Sequence, residues 1–176
     1  MKKFPADDTV AALEDDFEKK VEAFIAAVKK AGVTPSIKSV YRPPERQHLM
    51  RWCWKIVEKN HDAQTVPAKE GVDIDWWHGD QLKSVKAAKE MYDGYGLDTK
   101  AEPPETSRHT EKKAIDMSIT WTGSLTIKDK DDKDVVISSE PRNSSNADLI
   151  KVAKTYGVIH FINAASDVNH WSTDGK

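Results

Sequence analysis

The stretch Ser107-Arg108-His109-Thr110-Glu111-Lys112-Lys113-Ala114-Ile115-Asp116 carries a histidine in a polar loop and an aspartate where apolar alternation begins, at Ile115, Met117 and Ile119. A polar segment that runs into period-two hydrophobicity reads as a loop entering a half-buried strand. Such a junction can fold His109 and Asp116 onto one ion. Imidazole and carboxylate both bind zinc, at about 2.0–2.2 Å. Far along the chain, Asp167-Val168-Asn169-His170-Trp171 follows Val158 to Ile162, an apolar run that reads as the last strand. That places a further histidine just beyond a neighbouring strand. His109, Asp116 and His170 are therefore the candidate metal ligands. Three protein ligands leave one tetrahedral position for water, which separates a catalytic zinc site from a structural one. Spacing alone makes them a candidate cluster and no more, because His and Asp at this separation recur by chance.

Working outward, apolar residues at helical spacing (Val10, Leu13, Phe17, Val21, Phe24, Ile25, Val28) predict a first helix capped by Asp7 or Asp8 and running to about Lys30. Ser36 to Tyr41 reads as a short strand. Pro43-Pro44 then opens a helix to about Lys59, since proline is tolerated in a first turn. A third helix covers Gln81 to Tyr92. Ala114 to Lys128 alternates like a strand with a turn at Thr122-Gly123-Ser124, and Asp129 to Asp134 is a charged hairpin turn before Val135-Val136-Ile137. Ser145 or Asn146 caps a fourth helix through Tyr156. The class is α+β, a small antiparallel sheet with helices packed on it, and residues 1–176 read as a single domain.

Charge and composition narrow the function classes. The formal net charge is −2 and the charges are interspersed, so there is no basic face of the kind nucleic acids select. Cys53 is the only cysteine, which excludes an intrachain disulfide and a thiolate-rich metal site. No segment has membrane-spanning length, and the polar start lacks the apolar stretch of a signal peptide. Synthesis in the cytoplasm is the expectation. Among the remaining histidines, His48, His61 and His78 read as exposed or loop residues. His160, alternating with Ile159 and Phe161, faces either the core or the metal side. Trp76-Trp77 suits either stacking on sugar rings or a satellite apolar cluster.

Three segments in order carry a resemblance. Ser39-Val40-Tyr41-Arg42 with its following Gln47, Ser107-x-His109 with Asp116 after six intervening residues, and Asp167-x-x-His170-Trp171 span most of the chain. Together they resemble the zinc peptidases of the hedgehog/DD-peptidase fold. That group includes D-alanyl-D-alanine carboxypeptidases and dipeptidases and phage L-alanyl-D-glutamate endolysins. The resemblance implies a Zn2+ cofactor on His109, Asp116 and His170, and hydrolysis of peptidoglycan peptide stems. It implies Asp167 as general base and Arg42 as the donor to the carbonyl oxygen, or as the grip on a terminal carboxylate. Ser107 and Gln47 are the residues it sets near substrate, where Trp171, beside a ligand, and His160, by its place on the last strand, are also expected; Ser107 alternatively holds the loop, Gln47 braces the pocket, Trp171 packs against the site, and Asp167 alternatively only orients a ligand.

The resemblance leaves the bond open. Aspartate before the last histidine leans towards an L-alanyl-D-glutamate endopeptidase of endolysin or toxin type, because carboxypeptidase relatives usually show glutamate there. A D,D-carboxypeptidase or endopeptidase and a non-catalytic, metal-containing wall-binding module are the alternatives. The expected partners are peptidoglycan stems and a phage lysis or secretion delivery system, with no nucleic acid and no membrane, for a monomer acting at the cell wall after release. Two positions depart from the family. Val40 and Lys112 stand where glycine is usual, and Lys112 suggests a different turn beside the metal.

Overall fold

A computed structural model of the chain describes residues 3–97, 101–163 and 167–176. The fold is mixed α+β, with four α-helices and small antiparallel sheets among the described residues. The chain divides into two compact units. One comprises Met1–Ala6 with Arg42–Thr110, the other Asp7–Tyr41 with Glu111–Lys176. No helix among the described residues is long and apolar enough to cross a membrane.

The second unit holds the sheet. Its first helix, α1 (Asp15–Lys30), buries Phe17, Val21, Phe24, Ile25 and Val28, one stripe at three- and four-residue spacing. Asp15, Asp16 and Glu18 in the first turn and Lys29 and Lys30 in the last turn oppose the helix dipole. The helix starts later than its apolar periodicity suggested. Asp7 is diverted into an antiparallel bridge with Tyr41 while its carboxylate accepts from Thr9, and Val10–Ala12 form a separate 3-10 turn.

Strands β1 (Ser36–Ser39), β2 (Ala114–Ser118), β5 (Ile159–His160) and β6 (His170–Ser172) make a four-stranded sheet in the order β1-β2-β6-β5. A separate hairpin joins β3 (Leu125–Lys128) to β4 (Asp134–Ile137), as the charged turn predicted. Helix α4 (Ala147–Thr155) is capped by Asn146, whose side chain accepts from the Asp148 and Leu149 amides and donates to the carbonyls of Ser139 and Pro141. The core packs α1 and α4 with the inward residues of these strands. Phe24, Ile115, Met117, Ile127, Leu149 and Trp171 belong to one buried cluster. Each such large side chain contributes about 1.5–3 kcal/mol of apolar burial.

Two short strands alter the expected sheet. The last apolar run narrows to Ile159–His160, and His170 lies inside β6 instead of just after a final strand. Strands of two or three residues leave too short a pattern for period-two reading, and they exist because neighbours supply their hydrogen bonds.

The first unit is built on α2 (Pro44–Lys59) and α3 (Gln81–Gly94). Its own apolar cluster gathers Cys53, Trp54, Ile56, Ala88 and Tyr92, with Trp76 and Trp77 packed against it. That burial fits the satellite-cluster reading of the tryptophan pair. Burial pushes the Cys53 thiol up to about 12, so it acts as a small apolar residue and not as a nucleophile.

Candidate metal centre

Asp116 and His170 occupy paired positions in the β2–β6 ladder, and β2 is paired on its other side with β1, where Ser39 faces Asp116. The ladder brings their side chains to one spot, with Asp116 Oδ1 lying 3.0 Å from His170 Nδ1. The other ring nitrogen, Nε2, lies 3.0 Å from the main-chain oxygen of Lys176. The Phe161 ring stands edge-on to the imidazole with centroids 5.4 Å apart. His170 is thus held on both nitrogens and on one face. Burial works against charge on this ring, but hydrogen bonding and charge from Asp116, with help from the Lys176 main chain and Asp167, outweigh it and raise the pKa.

His109 sits in the turn that precedes β2 and is 3 % exposed. Ser107 shapes this turn. Its Oγ accepts from the His109 amide at 3.2 Å, and its carbonyl accepts from the Thr110 amide and hydroxyl at 2.9 and 2.6 Å. On the other side, the Arg42 amide donates to the His109 carbonyl at 3.2 Å. One nitrogen or oxygen from each of His109, Asp116 and His170 lies within 4.8 Å of the other two. A set of two imidazoles and one carboxylate at this spacing can hold a metal ion.

Lys112 has a left-handed backbone, with φ of 61°. That is a conformation glycine takes without strain. The Lys112 carbonyl accepts from the Glu14 amide, where α1 begins, and its ammonium lies 5.2 Å from the Tyr41 ring centroid.

Arg42 is half-buried, and its Nη1 donates to Gln47 Oε1 at 2.9 Å. Gln47 is fully buried on α2 and donates from Nε2 to the Pro104 carbonyl. Arg51 on the same helix donates to the Pro103 carbonyl at 2.9 Å and pairs with Glu102. The loop leading to His109 is therefore pinned to α2 by side chains that grip its carbonyls. Asp167 is exposed, and its Oδ1 accepts from the Asn169 amide at 3.1 Å, which orients it in the turn before His170.

Three residues expected near substrate take other places. Gln47 has no surface to offer and acts as a brace for Arg42. Trp171 is fully buried and donates from its indole to the Met117 carbonyl at 3.0 Å, so it is part of the core. His160 faces inward, 6 % exposed, with Nε2 2.9 Å from the Val168 carbonyl and its ring against Trp171 at 4.5 Å. Ser107 takes the loop-holding role. Residues that sequence reasoning missed include Thr110, Phe161 and Lys176. The first was readable as Ser-x-x-Thr around a turn, while the others carry no local signal because their contacts are made across the fold.

No protein-family model matches the chain, and no curated protein sequence matches it.

Proposed function

We propose that this chain is a zinc-dependent peptidase of the hedgehog/DD-peptidase fold that hydrolyses peptide bonds in peptidoglycan stems. The observation that carries the reading is the buried donor group of His109, Asp116 and His170, preceded in sequence by Asp167. Two imidazoles with one carboxylate and no thiolate suit zinc in an open, catalytic ligand set. Zinc bound there supplies Lewis acidity, which activates water near neutral pH and polarises a carbonyl.

The chain's own groups supply the rest. Asp167 is exposed and held by the Asn169 amide, so its carboxylate is available to take a proton from the attacking water and return it to the leaving amine. Arg42 donates to the substrate carbonyl oxygen as negative charge develops there, and its bond to buried Gln47 limits the orientations its guanidinium can adopt. Asp116 and His170 hold each other's ligand atoms at 3.0 Å, and Ser107 and Arg42 fix the backbone of His109, which limits reorganisation on metal binding.

Aspartate rather than glutamate before the last histidine favours cleavage of the L-alanyl-D-glutamate bond over removal of terminal D-alanine. The protein would reach the wall by lysis or through a dedicated export machine. Mass spectrometry of muropeptides after digestion of purified sacculi tests the reading. Stem cleavage that stops on chelation is expected. Loss of terminal D-alanine alone would make the chain a carboxypeptidase. Unaltered muropeptides from zinc-loaded protein would leave the non-catalytic wall-binding module.

A further inference from the structure

We infer that Arg51 on α2 is a positioning residue for the candidate ligand His109, acting through the proline segment that leads to it. The inference rests on the metal-site reading and extends it to a residue outside the ligand set. The segment opens with Glu102-Pro103-Pro104. Proline has a fixed φ and no N–H, so this stretch is stiff and leaves its carbonyls to donors from elsewhere in the fold. Helix α2 provides those donors. Gln47, Arg51 and Lys55 are spaced four residues apart, which stacks them on one helix face. Lys55 Nζ lies 3.9 Å from Glu102 Oε1. Arg51 reaches the same carboxylate oxygen at 2.7 Å through Nη2 and the Pro103 carbonyl at 2.9 Å through Nη1. Gln47 Nε2 then donates to the Pro104 carbonyl. The helix thus holds the segment residue by residue, in order towards its own N-terminus.

This register decides where His109 emerges. Only Glu105, Thr106, Ser107 and Arg108 separate it from Pro104. The far end is tied back to the start of the same helix, since the Arg42 amide donates to the His109 carbonyl and Arg42 Nη1 donates to Gln47 Oε1. A closed circuit therefore runs from Gln47 through Pro104, His109 and Arg42 back to Gln47. A slip of one residue along α2 would carry the chain by about 3.3–3.6 Å, more than a zinc–imidazole bond of about 2.0–2.1 Å tolerates. Gln47 grips one carbonyl, whereas the planar fork of Arg51 engages two consecutive residues at once, the Glu102 carboxylate and the Pro103 carbonyl. Two acceptors on one rigid group forbid the slip. A lysine ammonium would keep the charge but lacks the fixed fork.

The test measures affinity for Zn2+ alone by competition with a chromophoric chelator, in wild type, Arg51→Lys and Arg51→Met. Ile56→Val, a buried change on the same helix, is the control for lost stability. Zinc affinity should fall about tenfold in both Arg51 variants, the lower end of what removing a group that orients a ligand costs. It should stay at the wild-type value in Ile56→Val. Co2+ loaded in place of Zn2+ gives a visible absorption band whose intensity follows coordination geometry. That band should weaken in the Arg51 variants and not in Ile56→Val. Wild-type affinity in either Arg51 variant, or an equal loss in Ile56→Val, would overturn the positioning role while leaving the metal site intact. Failure of the wild-type chain to take up either ion would remove the metal site, and the positioning role with it.

Discussion

Asp116 and His170 stand opposite each other in the β2–β6 ladder, with Oδ1 of the aspartate 3.0 Å from Nδ1 of the histidine. The pairing makes one nitrogen the shared target of a carboxylate, a proton and a metal ion. The raised pKa of His170 follows from it, against the opposing effect of burial. In the metal-free protein the imidazolium–carboxylate pair contributes stability that is fully present below the ordinary histidine value of 6.5 and is lost as pH rises through the raised folded value. Thermal melting in chelator should therefore drop as pH is raised from about 6 to 8. In zinc the trend should reverse, because the proton competes with the ion for Nδ1. Parallel melting curves with and without zinc would contradict the shared-nitrogen picture.

Asp167→Asn separates ligand from base. The amide keeps an oxygen able to accept from the Asn169 amide, so the turn before His170 should persist. Zinc content by atomic spectrometry should match wild type, while hydrolysis falls about 10²- to 10⁴-fold. Full activity would remove Asp167 from the proton-transfer role.

Gln47→Met tests the brace behind Arg42. The replacement preserves volume but removes the acceptor for Arg42 and the donor to the Pro104 carbonyl. Denaturant unfolding should show a loss of about 1–3 kcal/mol, set by the polar groups left unsatisfied. Turnover should fall with zinc content unchanged. Unchanged turnover would mean that Arg42 needs no such support.

Lys112 offers a backbone test. Left-handed residues other than glycine cost about 1–2 kcal/mol, which Lys112→Gly relieves. The glycine gives back about 0.5–1 kcal/mol through the freer unfolded chain, and the contact with Tyr41 is lost. The urea midpoint of Lys112→Gly should therefore stay close to wild type, whereas β-branched Lys112→Val should lower it clearly. Equal losses in both variants would show that the lysine side chain, and not φ, governs this turn.

The parts of the fold legible in advance share one property, which is that their signals are local. Helix α1 declared itself through Phe17, Val21, Phe24 and Val28, and the β3–β4 hairpin through its alternation and charged turn. The start of α1 was misplaced because Asp7, a good capping residue, is used by Tyr41 from elsewhere in the chain. For the site, residue chemistry and motif order pointed to His109, Asp116 and His170, which the fold brings together as a group that could hold a metal ion. Burial was not readable for Gln47, His160 and Trp171, all polar-tipped side chains that prove to be satisfied internally.

The sequence by itself determined which side chains can bind a metal or move a proton, because those properties belong to single residues. It also determined the longer helices and the hairpin, whose periodicity repeats often enough to be unambiguous. Tertiary structure alone decided that His170 belongs to a three-residue strand paired with Asp116, and that the main-chain oxygen of Lys176 returns to its second nitrogen. Those relations depend on ladder register and on a turn closed by Ser172. Register and chain reversal are set by contacts among residues distant in sequence, so no local pattern encodes them.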